Sequence, residues 1–178
     1  MNMLPTSALV GMGDSLTLEE LGVIAELERG NYRFLNPWKP GITRAESLRL
    51  RREALTSDIF LTGTNAVTLD GKLVNIDGLG NRVAGMIFGP AKVIVTVGAN
   101  KIVPDTDTAL ARIKGIAAPL NVIRHDFGPD VRPGCSETGI CSECKPPNTI
   151  CCNTVIIGSC SRDRGRIKVI IVGEALGY

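Results

Sequence analysis

Apolar and polar positions alternate along this chain with two periods, and the switches between them mark out its elements. Ser7–Gly11 (SALVG) is a short apolar strand feeding the glycine loop Gly11-Met12-Gly13-Asp14-Ser15. Leu18, Leu21, Ile24 and Leu27 then recur at helical spacing up to Gly30, and Thr17 with Glu20 has the form of a capping box. Beyond an irregular stretch holding Pro37 and Pro40, a second such box at Thr43 and Glu46 opens a helix over RAESLRLRREAL. Asp58–Leu61 is a strand closed by Gly63, and Asn65–Ile76 is a hairpin turning at Asp70-Gly71. The loop Asp77-Gly78-Leu79-Gly80 leads into a helix from Asn81, and Lys92–Val97 is a strand of buried type. Asp105 caps a helix that puts Ala109, Leu110, Ile113, Ile116 and Ala117 on one face. After Pro119 the segment Leu120–Ile123 has strand character, then comes an irregular region with the cysteines. The last two strands, Thr154–Gly158 and Ile167–Val172, flank the polar turn SRDRG like a hairpin.

Strands alternating with helices of this length predict an α/β fold in three layers, with helices flanking a mostly parallel sheet. The hairpin is an insertion, and a Cys-rich loop lies near the C-terminus. The 178 residues form one domain, 1–178, with no repeat and no dividing linker.

Composition sharpens this. Aromatics make up 4%, so Val, Ile, Leu and Ala must build the core, as inner strands of a parallel sheet require. A formal net charge of +2 argues against nucleic acid as a partner. The basic residues gather only at Arg49, Arg51 and Arg52, and at Arg162, Arg164, Arg166 and Lys168; the second group reads as a solvated face. The first residues lack the basic and apolar regions of a secretory signal, and no run approaches the ~20 apolar residues of a membrane span. The expected compartment is the cytoplasm.

Three polar, glycine-rich strand ends are the candidate ligand site: Gly11, Gly13, Asp14 and Ser15; Gly63, Thr64 and Asn65; and Asp77, Gly78, Gly80, Asn81 and Arg82. Glycines allow close backbone approach, and the helix starts that follow favour an anion such as a carboxylate or phosphate. Arg82 and Lys101 add charge-assisted donors. Read more plainly, these loops are tight turns whose Ser15 and Thr17 serve as caps.

All six cysteines lie between Cys135 and Cys160. Cys135, Cys141, Cys144 and Cys151 form C-x5-C-x2-C-x6-C, a set of four thiolates suited to an iron–sulfur cluster or to zinc. Free thiols or a disulfide are the remaining readings. Cys152 and Cys160 read as spares. The one histidine, His125, reads as structural, and Trp38 as packed beneath its loop.

The run FLTGTNAVTLDGKLVNIDGLGNRVAGMIFGPAKVIVTVGANKIVPD, with GMGDSLTLEELG before it and the spaced cysteines and IKVIIVGEALGY after it, resembles the lactate-utilisation (LUD) domain family in its cysteine-bearing branch. The resemblance implies a fold related to ribose-5-phosphate isomerase, glucosamine-phosphate deaminase and CoA transferases. It also implies a subunit or accessory role in oxidising lactate or a similar 2-hydroxy acid, beside an iron–sulfur oxidoreductase subunit. The alternative is a metabolite-binding or regulatory module with a structural zinc held by four cysteines. Two departures stand out. The phosphosugar isomerases carry an acidic base in the helix after the second glycine loop, where this chain has NRVAGMIFG. A helical segment that usually precedes the first strand is nearly lacking, so an apolar edge or face is expected to be covered by a second copy or a partner.

Overall fold

The structure is a computed structural model that describes residues 3–125, 127 and 131–178. In chain order its elements are β1 (Leu9–Met12), α1 (Leu16–Glu20), α2 (Val23–Arg29), β2 (Arg33–Phe34), α3 (Arg44–Glu53), β3 (Ile59–Gly63), β4 (Ala66–Thr68), β5 (Leu73–Asp77), α4 (Asn81–Ile87), β6 (Lys92–Gly98), β7 (Ile102–Val103), α5 (Thr106–Arg112), α6 (Ala118–Arg124), α7 (Cys135–Thr138), β8 (Asn153–Ile157) and β9 (Ile167–Val172). Five strands pair in the order β2-β1-β3-β6-β9, and every neighbouring pair is parallel.

Period-two alternation sorts the side chains of this sheet to its two faces. Val10, Met12, Ile59, Leu61 and Ile94 share one buried cluster with Leu18 and Leu27 of α1 and α2. Phe60, Val93, Val95 and Val97 share the other, with Ala54 and with Met86 of α4. A parallel sheet buried on both faces in this way needs the aliphatic composition the sequence has. The expected α/β layers are therefore present, with an addition. The β4–β5 hairpin, turning at Gly71 with φ +88°, is the centre of a second, mixed sheet in the order β7-β4-β5-β8. Ala109, Ile113 and Ala117 pack against this sheet.

Five details differ from the sequence reading. Ser15, not Thr17, caps α1, its hydroxyl accepting the Leu18 N–H at 3.3 Å. The helix expected to reach Gly30 breaks at Gly22, whose φ of +69° suits glycine. The Leu120–Ile123 segment is helical, within α6, because Pro119 sits in the first turn, where its missing N–H is no loss. A π-turn at Ile113–Ala117 carries the chain from α5 into it. The last two strands form no hairpin. β8 lies antiparallel to β5 in the second sheet, and β9 lies parallel to β6 in the first. The connection between them holds Arg166, which is buried rather than solvated. Its guanidinium donates to the Gly85, Met86 and Pro90 carbonyls at 2.9–3.0 Å and so closes the C-terminus of α4.

No helix among the described residues is long and apolar enough to cross a membrane.

Candidate functional site

Parallel strands leave their carboxyl ends, and the loops that follow, on one edge of the sheet, where ligands of open α/β sheets gather. A cleft of about 970 Å³ opens there. Of the residues expected from sequence, Asp14, Ser15, Gly63, Thr64, Asn65, Asp77, Gly78, Asn81, Arg82 and Lys101 line it. Gly11, Gly13 and Gly80 do not. A Cβ on Gly11 would stand 2.8 Å from that of Ala54, and one on Gly13 would stand 2.7 Å from Cγ of Arg82. These two glycines make room for protein side chains, not for a ligand. Gly80 supplies a positive φ of +89° just before α4.

Arg82 and Lys101 are more engaged than solvent-facing donors would be. The Arg82 Nε pairs with Asp77 Oδ2 at 3.0 Å, and both side chains are nearly buried. One terminal nitrogen donates to Asn65 Oδ1 at 3.2 Å and to the Ile76 carbonyl at 3.0 Å, and the other donates to Asn75 Oδ1. Asn75 Oδ1 also takes the Thr64 hydroxyl at 3.2 Å and the Asn65 N–H at 3.1 Å. Arg82 thus ties two glycine-rich strand ends into one floor. Asp77 Oδ1 accepts the Gly80 N–H at 2.6 Å, which fixes the second loop. Lys101 Nζ is buried and donates to Thr17 Oγ1 at 2.8 Å, which in turn donates to the Leu176 carbonyl at 3.3 Å. Burial, with the Arg112 charge adding to it, brings the Lys101 ammonium down to about 8.

The walls of the cleft hold residues that the sequence did not place in the site. Arg44, Ser47, Leu48 and Arg51 stand at i, i+3, i+4 and i+7 on α3 and all face the cleft. Across from them lie Asn121 and Arg124 of α6, and then His125. His125 was expected to be structural; its Nε2 is 2.7 Å from Asp14 Oδ2. Arg124 bonds both Asp14 oxygens, at 3.2 and 3.3 Å, and Glu19 at 3.0 Å. Burial alone would push the Asp14 carboxyl up, but the His125 hydrogen bond and the Arg124 charge outweigh it and hold Asp14 below the ordinary carboxylate range. Tyr178 arrives from the last residues of the chain, its hydroxyl donating to Asn121 Oδ1 at 2.7 Å. A basic stripe on one face of an expected helix is a signal that spacing carries. The Asp14–His125 pair is not, because 111 residues separate its members.

Cys151 and Cys152 also line the cleft. Burial pushes the Cys151 thiol up to about 11, with Cys141, Cys144, Cys135 and Cys152 adding repulsion in that order. Cys135 is raised by burial and then by Cys144 and Cys141. The four thiols of the predicted set therefore lie within one another's fields, and four thiolates there would need a cation among them. The donor set fits a thiolate-bound metal by chemistry. Among the described residues, though, no three His, Cys, Asp or Glu side chains are posed around a single ion position. Cys160 stands apart, bonded to the Asp163 carbonyl at 3.0 Å.

Comparison with known proteins adds a family. A DUF162 family protein from Deinococcus radiodurans is similar at 13% identity and a TM-score of 0.40, over 94% of this chain and 87% of that one. The eIF2B delta chain from Chaetomium thermophilum is similar at 17% identity and a TM-score of 0.35, over 58% of this chain and 44% of that one. No curated protein matches. The LUD domain matches residues 1–172, nearly the whole length, and the chain belongs to the LUD domain family.

Proposed function

We propose that this protein is a component of a 2-hydroxy-acid oxidation system, binding a small anion such as lactate in the cleft beside a thiolate-bound metal centre. Membership of the LUD domain family links the chain to lactate utilisation at the family level. The observation that carries the finer reading is the convergence at one opening of three chemistries: basic side chains on α3 and α6, the Asp14–His125 pair, and the thiols Cys151 and Cys152. The basic groups attract and orient a carboxylate. Asp14 holds the His125 ring by Nε2 and fixes its orientation toward the opening. Arg82, Asp77 and Asn75 brace the floor beneath.

Cys135, Cys141, Cys144 and Cys151 would hold an iron–sulfur cluster, which supplies one-electron chemistry when bound; zinc is the alternative occupant. An iron–sulfur oxidoreductase subunit is the proposed electron partner, and association with a second copy is proposed through an open sheet edge. Visible absorption of anaerobically purified protein tests the reading. A broad charge-transfer band that shifts when L-lactate is added supports it. A colourless protein containing stoichiometric zinc would replace it with the metabolite-binding reading.

A further inference from the structure

We infer that the anion is anchored by Arg51 lying on the ring of Trp38, rather than by the glycine loops or Arg82. This rests on the proposed small-anion site, and it names the residue that selects for that anion.

Arg51 lies on the cleft face of α3 with its guanidinium carbon 5.2 Å from the Trp38 ring centroid. Its neighbour Arg49 faces away and is paired with Glu46 and Glu53, each at 2.7 Å. Arg51, by contrast, has no ion-pair partner among the described residues. Its Nε is fully buried without a hydrogen bond, and the residue lines the cleft. A half-buried guanidinium left without a partner is costly. Burial draws its pKa down, while Asp14 and Asp77 act in the opposite sense, so both carboxylates stand within its field.

The loop that carries the ring is tied down, and the ring packs against the core cluster of α1 and α2. Asn36 Oδ1 accepts the Trp38 backbone N–H at 3.0 Å, and Asn36 Nδ2 donates to Glu28 at 2.8 Å. The Ser47 hydroxyl, on the same helix as Arg51, donates to the Pro37 carbonyl at 2.8 Å. The helix and the loop that carries the ring are thus joined. Contact with the ring and burial of Nε restrict the guanidinium, so less freedom is lost when its terminal N–H donors meet an oxyanion. Arg82 lacks this availability because Asp77, Asn65, Asn75 and Ile76 take its donors.

The shared chemistry is an oxyanion with two accessible oxygens, a carboxylate or a phosphate. Trp38 is the only tryptophan, so its emission reports on the group stacked above it. L-Lactate, inorganic phosphate and the uncharged 1,2-propanediol are titrated into the full chain, with calorimetry as a second readout. Arg51→Gln, Arg51→Lys and the outward-facing control Arg49→Gln are compared, each checked for folding by circular dichroism. The expected result is a saturable change with at least one anion and none with the diol. Arg51→Gln should weaken that binding roughly 10- to 100-fold, Arg51→Lys should restore only part of it, and Arg49→Gln should bind as wild type. Phosphate binding without lactate binding upholds the Arg51 anchor and removes the 2-hydroxy-acid reading. Lactate binding that persists unchanged in folded Arg51→Gln overturns the anchor and leaves that reading standing. No anion binding to wild type overturns both.

Discussion

Lys101 shows what burial does to a single charge. Its ammonium, brought to about 8 from an ordinary 10.5, gives up its proton more readily in the folded chain than in the unfolded one. Between those values the unfolded chain binds more protons, so stability rises with pH from about 8 to 10.5. Below 8 the penalty is present in full, on the order of 3 kcal/mol. Urea denaturation of wild type and Lys101→Met across this range should show the rise in wild type only. Parallel curves would mean the ammonium is better solvated than its burial indicates. Gly13 carries a related lesson about reading residues. The sequence places it in a ligand loop, yet a Cβ there meets Arg82 and the Thr62 hydroxyl. Gly13→Val is expected to destabilise the fold through Arg82, so a loss of binding in it would say nothing about ligand contact. Spacing identifies a glycine that must stay small; it cannot say whether protein or ligand fills the space.

At the scale of elements, most of the fold was legible because its cues are local. Thr43 does cap α3, with Oγ1 accepting the Glu46 N–H at 3.2 Å. Gly71 does turn the hairpin, and the period-two strands do sort to two faces. The cap at Ser15, the break at Gly22 and the continuation past Pro119 turned on fine local geometry, and the end of the chain on distant contacts. Pro119 marked the end of a helix by sequence but opens α6, because the apolar stripe runs on through a π-turn. The SRDRG turn looked like a hairpin, but β8 and β9 each pair with a strand in a different sheet. Arg166 sits at that divergence and satisfies three carbonyls near the end of α4. Arg166→Met leaves them buried and unpaired, and a loss of about 1–3 kcal/mol in urea denaturation is expected. Arg164→Met, on the exposed turn, should cost under about 0.5 kcal/mol. Equal losses would deny Arg166 its capping role.

For the molecule as a whole, the glycine-rich strand ends with Arg82 and Lys101 were visible in sequence as a site, and the basic walls on α3 and α6 were not. Strand-end loops announce themselves by composition. The stripe Arg44, Ser47 and Arg51 becomes meaningful only once α3 is seen to wall the cleft, and Arg124 and His125 only once α6 is seen to be a helix. The cysteine spacing was equally plain, while its neighbourhood with the cleft required the fold. If Cys141 holds metal and Cys152 is a bystander, Cys141→Ser should lose most of the bound iron or zinc and Cys152→Ser little, by elemental analysis of anaerobically purified protein. Equal losses would break the assignment of four ligands. The sheet edge gives a separate expectation. β9 pairs only with β6 among the described residues and exposes Val169, Ile170 and Ile171. Such an edge favours pairing with another chain. Light scattering should report a dimer that Ile170→Lys shifts toward monomer, and a wild-type monomer at high concentration would contradict it.

The central claim is that the cleft recognises a small hydroxy acid through its basic wall and the Asp14–His125 pair. Calorimetric titration of anaerobically purified protein with L-lactate, and then with propionate, tests this most directly. Propionate keeps the carboxylate and lacks the hydroxyl. The account predicts saturable one-to-one binding of lactate and roughly tenfold or weaker binding of propionate, the value of one hydrogen bond to a charged group. Absence of lactate binding, or equal affinity for the two acids, would contradict it.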